Sequence, residues 1–322
     1  MRPPEQPQRG AALLTAMIIV TLIASLAAGM VWQQYRAVQI EAADRARAQS
    51  GWILQGALDW ARLILKTDAK GKPVDHLGEP WAVPLAEARL STFLAAERTA
   101  ATDNEGPEAF LSGTIEDAQG RYNLRALAAG AQLPPEEKLT LERLCDQVNA
   151  PPGTAAVIAS GMRAAFPAPA SGASAPAGNT TSDSGPLQPA GLDQLTWLGL
   201  DADTIKRLQP YVVLLPKATP VNLNTAPREV IAALLNIDLA SAERIVQARK
   251  SQPLQAIADA AVFLPPTFVI PPTRASVNSA YFVVTGRLRL DERQLEQRSL
   301  IERQGQTMIV VARERISQLL DR

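Results

Sequence analysis

Residues 11–32, AALLTAMIIVTLIASLAAGMVW, contain no charged side chain. No other feature limits this chain so sharply. A helix needs about 20 mostly apolar residues to cross a bilayer core, where each backbone polar group must be satisfied within the segment. Trp32 and Tyr35 stand at the far end, where interfacial aromatics belong. Arg2 and Arg9 precede the span, which favours a cytoplasmic N-terminus. Arg36, Arg45 and Arg47 follow it and pull the other way. A cleaved secretory signal is the competing reading, with the small residues Ala27-Ala28-Gly29 as its exit site.

No proline interrupts QQYRAVQIEAADRARAQSGWILQGALDWARLIL, so the helix is expected to run on past the span. Ile53, Ala57, Trp60 and Ile64 recur at steps of three and four and predict its apolar face. Before the span lies MRPPEQPQRG, a polar leader ending in Gly10. A polar leader closed by Gly, an apolar helix and an amphipathic continuation together resemble the N-terminus of type IV pilins and pseudopilins. In that superfamily a membrane peptidase cuts after the Gly. The resemblance implies a cut between Gly10 and Ala11 and an N-methylated Ala11. Most members carry Glu at the fifth mature position, where it neutralises a neighbouring subunit's amino terminus in a low dielectric. Here that position is Thr15. The resemblance therefore implies a subunit suited to a filament tip. A hydroxyl that simply bonds back to its own helix is the other reading.

Lys plus Arg and Asp plus Glu each number 32, so the formal net charge is zero. Nucleic-acid binding needs a cationic excess, which this balance does not supply. With one His (His76) and one Cys (Cys145), neither a His/Cys zinc cluster nor an internal disulfide can form. Cys145 lies in the helical pattern TLERLCDQV and reads as a small core hydrophobe. His76, in VDHLGEPWA, has no serine nucleophile near it in sequence.

Farther along, AFLSGTIEDAQGRYNL shows alternating runs around Asp117-Ala118-Gln119-Gly120 and predicts a hairpin. Helical patterns follow in PPEEKLTLERLCDQVN, PGTAAVIASGMRAAF and LDQLTWLGLDADTIKRLQPYV. Residues 167–190 are low-complexity and predict a flexible loop. From Ala275 the period returns to two, with Gln304-Gly305 as the turn between the last two strands. Strands on both sides of a helical block imply one antiparallel sheet interrupted by an insertion.

Within that block, PVNLNTAPREVIAALLNIDLASAERIVQARK resembles the helix-hairpin-helix unit, in the form found in DNA-uptake proteins. Such hairpins usually carry Gly-hydrophobic-Gly, so that backbone N–H groups can approach phosphate. Asn236-Ile237-Asp238 replaces both glycines and adds a negative charge. The motif then reads as structural. Asn222 and Asn224 are expected to bond nearby backbone, Thr225 to cap the following helix and Pro227 to open it. Val230, Ile231, Leu234, Leu235 and Ile245 are expected in the core.

The Gly-terminated leader, the missing acid at Thr15, LGEPWA, DAQGRYNL, PVNLNTAPREV and a strand-rich tail resemble, in this order, the minor pseudopilin K family of type II secretion systems. The fold expected is α+β: a pilin-like long N-terminal helix packed on an antiparallel sheet, with a large inserted α-helical domain containing a helix-hairpin-helix, SAM-like unit. The expected organisation is a leader at 1–10, a transmembrane part at 11–32 and its amphipathic continuation at 33–66. The pilin-like domain then occupies 67–125 and 275–322, with the insertion at 126–274. The resemblance implies a non-enzymatic protein of the inner membrane, its globular part in the periplasm. Its partners would be minor pseudopilins I and J, other pseudopilus subunits and the prepilin peptidase, with no nucleic acid. It also implies calcium in the globular region. Asp183, Asp193, Asp201 and Asp203 are candidate oxygen ligands, or else a solvated face. A membrane-anchored DNA-uptake protein remains the alternative. A hydrolase would need carboxylate-only chemistry, since no nucleophile–base pair presents itself.

Overall fold

A computed structural model describes residues 9–71, 74–90, 109–130, 132–167, 187–264, 268–290 and 293–319. The chain divides into two compact units, Met1–Gly56 and Ala57–Arg322. The first helix, α1 (Arg9–Asp68), contributes to both.

In the first unit, the side chains of the apolar span from Leu13 to Val31 are exposed. Its 18-residue window reaches a mean hydropathy of 2.3. The hydroxyls inside the span turn back onto the helix: Thr15 Oγ1 donates to the Ala12 carbonyl at 2.9 Å, Thr21 to Ile18 at 2.9 Å and Ser25 to Thr21 at 2.6 Å. Hydroxyls bonded to their own helix carry little penalty in hydrocarbon. Beyond the span, Glu41 pairs with Arg45 and Asp44 with Arg47 along the helix surface.

The second unit is built on a five-stranded antiparallel sheet in the order β1-β2-β7-β8-β9. Its strands are β1 (Leu85–Arg89), β2 (Ala109–Asp117), β7 (Tyr281–Leu290), β8 (Arg293–Gln304) and β9 (Thr307–Leu319). Leu58, Ala61 and Leu65 of α1 pack with Trp81, Phe282, Val284, Ile301 and Met308. Trp81 meets Phe282 edge to face, with centroids 5.3 Å apart. The buried face of α1 is therefore offset by one residue from the stripe expected at Ile53, Ala57, Trp60 and Ile64. Trp60 remains 51% exposed. The spacing of three and four is kept but its phase shifts by one residue, so Ala61 is buried where Trp60 was expected. Gln304 pairs with Thr307, and Gly305 takes φ +60° between β8 and β9, as the expected turn requires.

The chain leaves this sheet at Asp117 and returns at Tyr281. Asp117–Gly120 is not the hairpin expected from alternation. The Asp117 side chain accepts from Gln119 N and caps a 3-10 turn over Ala118–Gly120. The next strand, β3 (Tyr122–Asn123), pairs in parallel with β4 (Val212–Val213). A second parallel pair joins β5 (Val221–Asn222) to β6 (Ala275–Ser276), so Ala275 opens this small pair and the main sheet resumes at Tyr281.

Between these strands the helices α2 (Pro135–Gln147), α3 (Thr154–Ala165), α4 (Ala202–Leu208), α5 (Arg228–Leu235) and α6 (Leu239–Ser251) surround a separate core. Val230, Ile231, Leu234, Leu235 and Ile245 are all buried in it, as expected. Cys145 is buried there too. Desolvation, then the nearby Asp146 and Glu142, push its thiol up to about 11, so it packs as a hydrophobe. The loop expected at 167–190 and Asp183 lie largely or wholly outside the described residues.

Candidate functional site

The motif residues that stood out in the sequence converge on a buried polar seam where the helical block joins the sheet. Asp117 lies at its centre. Its Oδ2 accepts from Thr225 Oγ1 at 2.6 Å, Ser279 Oγ at 2.6 Å and Asn222 Nδ2 at 2.9 Å. Its Oδ1 accepts from Gln119 N at 2.7 Å. Burial raises the Asp117 pKa, and the bonds from Ser279, Thr225, Gln119 and Asn222 oppose the rise.

Asn222 Nδ2 also donates to the Asp75 carbonyl at 3.1 Å, while its Oδ1 receives Asn224 N at 2.9 Å. Asn224 holds both the N–H and the carbonyl of Leu254 through its amide, at 2.9 and 3.0 Å. The asparagines thus satisfy backbone, as expected, and Asn222 reaches side chains as well. Thr225 does not cap α5. The residue before the helix is Pro227, which opens it without a side-chain cap, and the Thr225 hydroxyl is spent on Asp117. Gly120 allows this approach, since a Cβ there would lie 2.9 Å from Thr225 Oγ1. Gln119 completes the seam by donating to the Pro220 carbonyl at 3.0 Å and accepting from Ala280 N at 2.6 Å.

The hairpin between α5 and α6 is formed without glycines. Asn236 takes φ +52°, which asparagine tolerates better than most residues. Asp238 caps α6, accepting from Ser241 N at 2.9 Å and Ser241 Oγ at 2.6 Å. The Ser241 hydroxyl, then its N–H, holds the Asp238 carboxyl below its usual range. A carboxylate therefore occupies the helix terminus that a phosphate would need. Among the motif's cations, Arg228 pairs with Glu229 and Glu243. Arg249 is buried against the Leu223 carbonyl, and burial lowers its pKa to about 10.

A second charged cluster joins the end of α1 to the LGEPWA turn. Oxygens of Asp68, Asp75 and Glu79 lie within 4.8 Å of one another. Arg303 donates to Asp68 at 3.3 Å, to Asp75 and to the Ser279 carbonyl. Glu79 Oε2 receives the Trp81 indole N–H at 2.7 Å and His76 N at 3.0 Å. His76 Nδ1 accepts from Gly78 N at 3.1 Å, so its ring serves the turn. Calcium requires six to eight oxygens. This cluster does not fit it, because a guanidinium already takes Asp68 and Asp75, and two N–H donors take Glu79. Asp201 caps α4 by accepting from Thr204 N at 3.1 Å. Neither Asp193, Asp201 nor Asp203 joins a three-residue cluster among the described residues.

Asp75, Gln119, Ser279 and Arg303 were not picked out as site residues from the sequence. Gln119 carried a signal within DAQG. The others acquire partners only through contacts distant in the chain.

Two family models, each described as Type II secretion system (T2SS), protein K, match residues 120–217 and 221–265. They cover the hairpin and, within the seam, Gly120, Asn222, Asn224 and Thr225, while Asp117, Gln119 and Ser279 lie outside the matched residues. A curated relative, type II secretion system protein K of Pseudomonas aeruginosa, is 28% identical over 77% of this chain and 74% of its own length. Its counterpart in Klebsiella pneumoniae is 29% identical over 95% of this chain and 96% of its own. The fold is similar to a chain in the crystal structure of the GspK-GspI-GspJ complex from enterotoxigenic Escherichia coli, with a TM-score of 0.63 and 22% identity, covering 85% of this chain and 98% of that one. The two family-model matches and the curated relatives together support recognising the chain as a type II secretion system protein K.

Proposed function

We propose that this chain is a minor pseudopilin that assembles with other minor pseudopilins, of the I and J types, at the tip of a periplasmic pseudopilus, starting or capping it during protein export. The prepilin peptidase frees Ala11 behind Gly10, and residues 11–32 anchor the mature protein in the inner membrane. The likeness to a chain of the GspK-GspI-GspJ complex supports this choice of partners. The role is one of assembly and not of catalysis.

The observation that carries the reading is the acid-free helix. Thr15 bonds to its own Ala12 carbonyl and offers no carboxylate to the amino terminus of a subunit packed beside it. An ammonium group left unpaired in a bundle of apolar helices is costly, so such a subunit suits the end of a filament. The mature N-terminus provides the test, read by mass spectrometry of the protein from membranes. The expected start is Ala11, and Gly10→Val should leave the precursor intact. A start upstream of Ala11 in the wild type, or far downstream of it, would overturn the reading.

A further inference from the structure

Above the Arg303 cluster lies a groove of about 710 Å³, between the end of α1, the LGEPWA turn and the segment after α6. Leu63, Ile64, Val74, Pro80 and Pro253 form apolar walls. Leu63 is 58% exposed, so the wall is open to solvent. The charged groups lining the groove are Asp68 and Glu79, with His76 beside them. Both carboxylates are held in place, Asp68 by Arg303 and Glu79 by the Trp81 indole and His76 N.

The local charge does not balance. Three carboxylates crowd together, but Arg303 pairs only with Asp68 and Asp75, and Glu79 accepts from the Trp81 indole and His76 N, with the His76 ring 3.9 Å away. Desolvation, with Glu79 and Asp75 nearby, raises the Asp68 pKa to about 6 despite Arg303. A further cation entering from the groove would therefore be attracted. Oxygens within 4.8 Å of each other can both be reached by one ammonium nitrogen at ordinary hydrogen-bond lengths of about 2.8–3.0 Å. The apolar walls suit the aliphatic stem of a lysine better than a hydrated metal ion.

We propose that this groove docks an extended segment of a partner protein, placing a lysine ammonium between Asp68 and Glu79 and an adjacent apolar side chain against Leu63 and Ile64. The partner is recognised by charge complementarity at the floor and apolar contact at the wall.

The test uses the full chain in lipid nanodiscs and three fluorescein-labelled peptides, each with Lys, Gln or Glu between two leucines. Anisotropy at low ionic strength should show saturable binding of the Lys peptide, at least about tenfold tighter than the Glu peptide. Asp68→Asn should weaken it several-fold. Leu63→Arg, at an exposed position, should abolish it by filling the groove with a cation while leaving the melting transition in place. Equal affinity for the three peptides, no saturable binding of any, or Lys-peptide binding unaffected by Leu63→Arg would overturn the proposal. Stoichiometric calcium uptake that displaces the Lys peptide, and is itself lost in Asp68→Asn, would reassign the cluster to a metal ion and also overturn it.

Discussion

The Asp117 carboxylate accepts the Thr225 hydroxyl at 2.6 Å, joining the last residue of a pilin-like strand to the entrance of the helix-hairpin-helix across 108 positions of sequence. Asn222 and Ser279 reach the same oxygen. The sheet and the insertion are thus tied by one buried acceptor. Asp117→Ala would leave four donors without it, counting Gln119 N, and a buried donor left unpaired costs about 1–3 kcal/mol. The expected destabilisation is about 2–4 kcal/mol, read as a lower denaturant midpoint for the full chain in detergent. A loss below about 0.5 kcal/mol would show that the seam rearranges freely around the missing side chain.

The offset of the α1 face gives a second, comparative expectation. Leu58 is buried against the sheet, whereas Trp60 is half-exposed. Leu58→Ala should cost about 2–5 kcal/mol, as large-to-small core changes do. Trp60→Ala should change folding stability by less than about 0.5 kcal/mol. The reverse order in thermal melts would restore the face expected from periodicity.

That offset illustrates what the chain discloses when read linearly. The apolar span, the length of α1, the turn at Gly305 and the core positions from Val230 to Ile245 all follow from local composition and spacing. The alternation around Asp117 misled because a residue that caps a 3-10 turn and one that begins a hairpin loop have the same sequence signature. Thr225 misled for a related reason. A threonine two residues before a proline-opened helix resembles a cap, and only the approach of Gly120 reveals that Asp117 takes its hydroxyl. Arg303 was invisible, since its partners Asp68, Asp75 and Ser279 lie on distant segments.

Asp68 gives the chain a pH dependence of definite sign. Its pKa is about 6 in the folded state against an ordinary 3.8 for the free side chain. Between these values the folded chain holds a proton that the unfolded chain has released. The group's contribution is therefore fully present below about 3.8 and is lost as pH rises through about 6. Asp68→Asn should flatten that part of the stability profile, measured by denaturant unfolding at intervals from pH 4 to 7. A wild-type profile indistinguishable from that of the variant would show that Arg303 compensates Asp68 fully.

On the proposed function, Thr15 is the residue on which placement at the filament end depends. Its hydroxyl is bonded to Ala12, and from Ala11 to Trp32 no side chain can carry a negative charge. Thr15→Glu would supply a carboxylate that gains most when it neutralises another subunit's ammonium group, because either charge alone is costly among apolar helices. The variant should then enter the shaft. Immunogold labelling of overproduced pseudopili is expected to move from the ends to the length of the filament, with the membrane pool still processed at Gly10. Wild-type label already spread along the shaft would remove the link between the missing acid and the tip.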